Sequence, residues 1–92
     1  MELDPQNAGA YNALGMAYAQ AGYSDRAEEC FLKAAEAETG HGRAYSNLSV
    51  LYFKQEDYAR AAEYRVLAER AGHEFSPEYI EELKQHRAED EQ

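Results

Sequence analysis

The stretch AGAYNALGMAYAQAGYSDRAEECFLKA, residues 8–34, decides the fold because a related stretch, GRAYSNLSVLYFKQEDYARAAEYRVLA, follows it at residues 42–68. An offset of 34 residues aligns Tyr11 with Tyr45, Leu14 with Leu48, Tyr18 with Tyr52, Ala27 with Ala61 and Ala34 with Ala68. A third step of the same length carries Tyr45 onto Tyr79. A unit of this length is one pair of helices, which cannot bury its own apolar face alone, so neighbouring units must stack.

Apolar residues recur at steps of three and four, and they predict five helices at about residues 8–21, 25–38, 43–54, 58–71 and 77–89. Polar residues of the kind that cap helices, Asn7, Ser24, Asp57 and Ser76, precede four of them, and Gly22 follows the first. The residues expected to face the core are Tyr11, Leu14, Tyr18, Ala21, Ala27, Phe31, Ala34, Tyr45, Leu48, Leu51, Tyr52, Ala61, Tyr64, Ala68, Ala71, Tyr79, Ile80 and Leu83.

The first copy resembles the tetratricopeptide repeat, whose pattern is matched by Tyr11, Leu14-Gly15, Tyr18, Ala27, Phe31 and Ala34. The second copy keeps most of these positions but has Ser49 for the glycine and Arg65 for the phenylalanine. The resemblance implies an all-α, right-handed helical-hairpin solenoid of five helices. It further implies a single domain over residues 1–92, with repeats at 8–41 and 42–75 and a capping helix at 76–90. Leu3-Asp4-Pro5 is similar to the end of a preceding repeat, so we expect this chain to come from a longer array.

The charge balance excludes some classes of partner. Nine basic against 18 acidic residues give a net charge of −9, which disfavours nucleic acid and anionic membrane surfaces. The single cysteine, Cys30, rules out an internal disulfide and is consistent with a reducing compartment, so we expect a cytoplasmic location. The N-terminus, MELDPQN, lacks the apolar core of a signal peptide, and no apolar run is long enough to span a bilayer.

Signals for catalysis or metal binding are absent from the sequence. His41, His73 and His86 form no short-spaced cluster with cysteine or carboxylates, and Cys30 is expected to be a buried, inert thiol. Neither a Gly-x-Ser-x-Gly elbow nor a glycine-rich phosphate loop occurs. We therefore expect no enzyme activity, no metal site and no cofactor.

The resemblance implies a concave groove that is lined by the first helix of each pair and holds a peptide. The residues it places there are Asn12, Met16, Ala19 and Gln20 from the first pair, Arg43, Asn47, Val50, Phe53 and Lys54 from the second, and Lys84 and Arg87 from the cap. Asn47 could bind a peptide main chain, while Met16 and Val50 could hold an apolar side chain. The alternative, that these are ordinary solvated positions, stays open.

The sequence thus predicts a non-enzymatic module that binds a protein or peptide in its groove, with a ligand that carries acidic and apolar residues. Asn12 and Met16 stand where the chaperone-tail clamp of some family members has Lys and Asn, so we do not expect that ligand. Asn47→Ala and Arg43→Glu are expected to weaken binding while leaving the melting temperature almost unchanged. The alternative function is self-association through the exposed terminal repeat, which would give a weak homo-oligomer.

Overall fold

In the computed structural model, residues 7–37 and 42–90 are described, with side chains described through residue 86. These residues contain no strand and form five helices: α1 (Ala8–Ala21), α2 (Ser24–Ala37), α3 (Gly42–Lys54), α4 (Tyr58–Arg70) and α5 (Pro77–Asp90). The predicted bounds agree with these to within one residue. Leu3-Asp4-Pro5, which the sequence assigned to the end of a preceding repeat, lies outside the described residues, as do His41 and the side chain of Arg87.

Side chains placed just before three helices accept a hydrogen bond from the first turn, as the sequence predicted. They are Asn7 for α1 (from Ala10 N, 3.0 Å), Asp57 for α4 (from Arg60 N, 3.3 Å) and Ser76 for α5 (from Tyr79 N, 3.2 Å). After α1, Gly22 has the left-handed conformation, with φ 90°, that ends a helix at little cost for glycine. Ser24 was predicted to precede α2, but the helix begins at this residue.

The helices pack as two hairpins followed by a fifth helix. Helix α1 packs on α2 and α3 packs on α4, while α2 joins the hairpins by packing on α3, and α5 packs on α4. The buried centre of the core consists of Ala27, Phe31, Leu48, Leu51, Tyr52, Ala61 and Leu83. A smaller cluster of Ala8, Ala34 and Ala44 brings α1, α2 and α3 close together, because alanine allows helix backbones to approach.

Gly15 is required inside α1 by the ring of Phe31. A Cβ atom at residue 15 would lie 2.6 Å from two carbons of that ring, which is too close for any real side chain. Glycine costs about 1 kcal/mol relative to alanine in a helix, but the bare backbone lets a large ring pack against α1.

The second copy has different residues at the positions of Gly15 and Phe31, namely Ser49 and Arg65. Arg65 replaces the phenylalanine and pairs with Glu69 on its own helix at 3.0 Å, so no ring presses on residue 49. Ser49 is fully buried, and its hydroxyl lies 2.7 Å from both the carbonyl oxygen of Ala61 and the hydroxyl of Tyr79. Because Ser49 has one proton and the carbonyl can only accept, Tyr79 donates to Ser49. Ser49, which stands where the first copy has glycine, therefore links α3 to α5 through its hydrogen bond with Tyr79.

The expected core face of α1 is wrong at two positions. Leu14 is 37% exposed and Ala21 is also exposed, whereas Leu48, the equivalent of Leu14 in the second copy, is completely buried. Helix α2 packs on α3, but among the described residues no helix covers the corresponding face of α1. Periodicity located the apolar face correctly, but it carries no information on whether that face has a neighbour.

Candidate functional site

A cavity of about 210 Å³ lies between the first helices of the two hairpins, α1 and α3, beside the start of α2. The predicted groove residues that line it are Met16, Ala19, Gln20, Asn47, Val50 and Lys54. Three further residues line it that the sequence did not assign to a groove: Ser24, Phe31 and Leu51. The two repeats therefore bring most of the predicted residues together at one concave surface.

Buried apolar side chains form the floor of this cavity and more exposed ones form its rim. Phe31 and Leu51 are 2% and 5% exposed, Val50 is half-buried, and Met16 is 45% exposed. Phe31 reaches this position because Gly15 allows its ring to lie against α1. The sequence marked Phe31 and Leu51 only as core residues, and helical spacing could not reveal that their edges also face the cavity.

Asn12 was predicted to line the groove, and here the structure requires a correction. Asn12 is only 6% exposed and lies outside the cavity, where its Oδ1 accepts a 2.8 Å hydrogen bond from Nδ2 of Asn47. This hydrogen bond fixes the orientation of the Asn47 side-chain amide. Among the described residues Asn47 makes no other side-chain hydrogen bond, so its Oδ1 and its second N–H can pair with the main chain of a peptide.

Phe53 also differs from its prediction as a groove residue. Its ring packs edge-on against Tyr58 (5.4 Å between centroids), and it contacts Tyr79 (5.2 Å) and His86 (5.7 Å). This aromatic contact joins α3 and α4 to α5. Phe53 therefore helps to hold α5 against the hairpin of α3 and α4.

Four of the residues that the resemblance placed in the groove are basic, and among those whose side chains the structure describes only Lys54 lines the cavity. Lys54 is the single charged residue among the described residues that line the cavity, and none of them is acidic. Arg43 and Lys84 are exposed and do not line it, and the side chain of Arg87 lies outside the described residues. The cavity thus offers one positive charge within an otherwise neutral, partly apolar surface.

A family model described as the tetratricopeptide repeat matches residues 8–41 and 42–64, which is more than half of the 92 residues. The chain belongs to the tetratricopeptide repeat family. The match confirms the predicted family and the predicted all-α helical-hairpin solenoid. Tetratricopeptide repeats are in general protein–protein interaction modules and are typically not catalytic. A search of curated proteins finds no match to the chain.

This tetratricopeptide domain also has a second cavity, which the sequence did not predict. It measures about 470 Å³, lies on the outer face of α1 and α2, and is lined by Tyr11, Leu14, Tyr18, Arg26, Glu29, Cys30 and Lys33. Arg26 lies over the ring of Tyr18 and Lys33 over that of Tyr11, at 5.8 and 5.7 Å from the ring centres. Burial, with a smaller effect of the Glu29 carboxylate, raises the pKa of the Cys30 thiol, and Lys33 opposes the rise.

Metal-binding clusters and membrane-spanning helices are absent from the described part of this tetratricopeptide domain. There, no three His, Cys, Asp or Glu side chains come together in a way that could hold a metal ion. Within the same residues, no helix is long and apolar enough to cross a membrane.

Proposed function

We propose that this tetratricopeptide domain binds a short segment of a partner protein in the cavity between α1 and α3. The observation that carries the proposal is the Asn47 side chain, which is oriented by the buried Asn12 and stands beside an apolar floor. A fixed amide can pair with a peptide main chain at low entropic cost, because its rotamer is already restricted before binding.

The size and charge of the cavity define the ligand. At about 210 Å³ it is smaller than the roughly 300–1,000 Å³ of small-molecule sites, and it suits an apolar side chain of a peptide. Phe31, Val50 and Met16 would surround that side chain. Lys54 at the edge favours a carboxylate nearby, so the ligand is a peptide with an apolar residue followed or preceded by an acidic one.

The test is selection of peptides from a random library on the intact chain, followed by measurement of the selected peptides against two variants. Val50→Asp places a charge on the cavity wall and should weaken binding by about tenfold or more, since a buried apolar contact becomes a desolvated charge. Val66→Asp is the matched control, because Val66 is 37% exposed on α4 and does not line the cavity. Equal binding by both variants would refute the groove.

Self-association is a second candidate function, and the exposure of Leu14 favours it. Leu14 stands between Tyr11 and Tyr18 on a face of α1 that no described helix covers. Two copies could pair through this face and bury it. Light scattering over a concentration series tests the idea: a dimer that Leu14→Asp dissociates supports it, and a monomer at every concentration refutes it.

We also propose the bounds of the repeats, the cellular location of the chain and the class of its partners. We take residues 8–41 and 42–75 as the repeats and 76–90 as the cap, because α5 begins at Pro77 and its Leu83 reaches the core. A cytoplasmic location is supported by the single cysteine, Cys30. Proteins are the proposed partners, since a net charge of −9 disfavours nucleic acid and anionic membranes.

A further inference from the structure

The cavity between α1 and α3 has an equivalent position one repeat further along the chain, between α3 and α5. Each position lies between the first helix of a pair, the start of the second helix of that pair and the helix that follows. The offset of 34 residues carries Ala19 onto Phe53 and Ser24 onto Tyr58. Ala19 and Ser24 both line the cavity, so the two positions differ in the size of the side chains that surround them.

Aromatic rings fill the position between α3 and α5. The ring centre of Phe53 lies 5.4 Å from that of Tyr58 and 5.2 Å from that of Tyr79, and Tyr58 stacks on His86 at 4.3 Å. Rings from α3, α4 and α5 thus pack against one another. Between α1 and α3, Ala19 supplies only a methyl group where Phe53 supplies a ring, and a cavity of about 210 Å³ stays open.

The floor of the open cavity is suited to a ring. Phe31 lines it, whereas the second copy has Arg65 at this position, paired with Glu69 at 3.0 Å. Aromatic rings attract one another in edge-to-face and offset arrangements, so a second ring gains more from Phe31 than an aliphatic side chain of equal area does. The thioether of Met16 at the rim adds a favourable sulfur–aromatic contact.

We infer that the ligand side chain which this cavity accepts is the aromatic ring of a phenylalanine, held between α1 and α3 as Phe53 is held between α3 and α5. Phe31 and Leu51 have no polar side-chain atoms with which a tyrosine hydroxyl could pair, which favours phenylalanine over tyrosine. The inference rests on the proposed function and narrows its ligand from any apolar residue to one aromatic residue.

The experiment uses three blocked dipeptides as probes, N-acetyl-X-aspartic acid amides in which X is phenylalanine, cyclohexylalanine or leucine. Each probe is titrated into the intact chain, and NMR follows the methyl signals of Met16 and Val50, which line the cavity. The phenylalanine probe should shift both signals saturably through its ring current. It should bind about threefold to tenfold more tightly than the cyclohexylalanine probe, whose ring has the same carbon skeleton but no π electrons.

Two variants fill the cavity from within. Ala19→Phe places a ring of the chain's own where Phe53 has one, and it should weaken binding of the phenylalanine probe by about tenfold or more. Ala59→Phe is the matched control, because it makes the same change at an exposed residue of α4 that does not line the cavity. Ser24→Tyr recreates Tyr58 and should weaken binding as well, which keeps the inference testable if Ala19→Phe does not fold.

Equal binding of the phenylalanine and cyclohexylalanine probes overturns the inference, as does a leucine probe that binds as tightly. It is also overturned if no probe shifts the methyl signals of Met16 and Val50, or if every filled variant that folds binds the phenylalanine probe as the wild type does. The proposed function is tested separately by the random library. Selected peptides that require Val50 but carry only aliphatic residues would support the groove and refute the preference for a ring.

Discussion

Asn47 donates a 2.8 Å side-chain hydrogen bond to Asn12, which stands 35 residues earlier on the first helix of the preceding repeat. One member of the pair is buried and the other faces the cavity, so the bond joins the inter-repeat packing to the candidate site. Asn47, which lines the cavity, therefore also contributes to the packing of the two repeats.

The first prediction concerns this pair. Asn47→Ala leaves the buried oxygen of Asn12 without a partner and should lower the free energy of unfolding by about 1–2 kcal/mol in urea denaturation. This replaces the expectation, from the sequence, that the melting temperature would barely change. Gln20→Ala, at an exposed residue of the same cavity, is the control and should leave stability unchanged. Identical urea midpoints for Asn47→Ala and the wild type would contradict the role assigned to the bond.

The second prediction contrasts two glycines of α1. Gly15→Ala forces a Cβ atom to within 2.6 Å of the Phe31 ring and should destabilise the chain by about 1–3 kcal/mol. Gly9→Ala meets its nearest neighbour at 3.7 Å, an ordinary contact, and should stabilise it by up to about 1 kcal/mol through helix propensity. Thermal unfolding followed by circular dichroism measures both. A stabilising effect of Gly15→Ala would show that Phe31 does not restrict residue 15.

The third prediction addresses the attachment of α5. Ser49→Ala removes the acceptor of the Tyr79 hydroxyl and the donor to the Ala61 carbonyl, at a cost of about 1–2 kcal/mol. Amide hydrogen exchange should accelerate most in α5, because Tyr79 and Ser49 link it to α3. Tyr79→Phe should accelerate exchange in the same helix. Uniform acceleration over all helices would instead indicate a loss of global stability alone.

The fourth prediction is a loss of stability at alkaline pH. Burial raises the pKa of Tyr52, and the hydrogen bond to the Glu28 carboxylate raises it further; burial also raises the pKa of Tyr64 and of Tyr79. The folded chain then holds protons that the unfolded chain releases, so the stability present below about pH 10 is lost as the pH rises further.

Melting temperatures measured between about pH 8 and 11.5 test this sign. Tyr52→Phe removes one of the titrating hydroxyls and should flatten the alkaline decline relative to the wild type. Tyr23→Phe, at a side chain that is 60% exposed, is the matched control. A decline of equal slope in the wild type and in Tyr52→Phe would show that Tyr52 does not contribute.

The helices could be predicted from local chemistry. Every helix boundary was predicted to within one residue from capping residues such as Asn7 and Asp57 and from the recurrence of apolar residues. Burial could be predicted less well than the helices, because it depends on neighbouring helices. Leu14 and Leu48 hold equivalent positions in the repeat, but Leu14 is 37% exposed and Leu48 is fully buried. The difference comes from α2, which covers only one of the two faces.

The candidate site was predicted in part. Met16, Val50 and Lys54, which the resemblance placed in a groove, line the cavity between α1 and α3. Helical spacing does not show that Asn12 is buried or that its Oδ1 accepts a hydrogen bond from Asn47. The outer cavity was not predicted: Cys30 was expected to be a buried thiol, and the sequence does not show that it lines a cavity together with Tyr11 and Tyr18.

The close fit of Gly15 and Phe31 limits the order in which substitutions can accumulate at this point of the repeat. A serine like Ser49 is acceptable only where no phenyl ring presses on the helix, so the ring has to be lost before the glycine can be. The two copies are therefore alternative solutions, and converting one into the other requires changes at both positions of the pair.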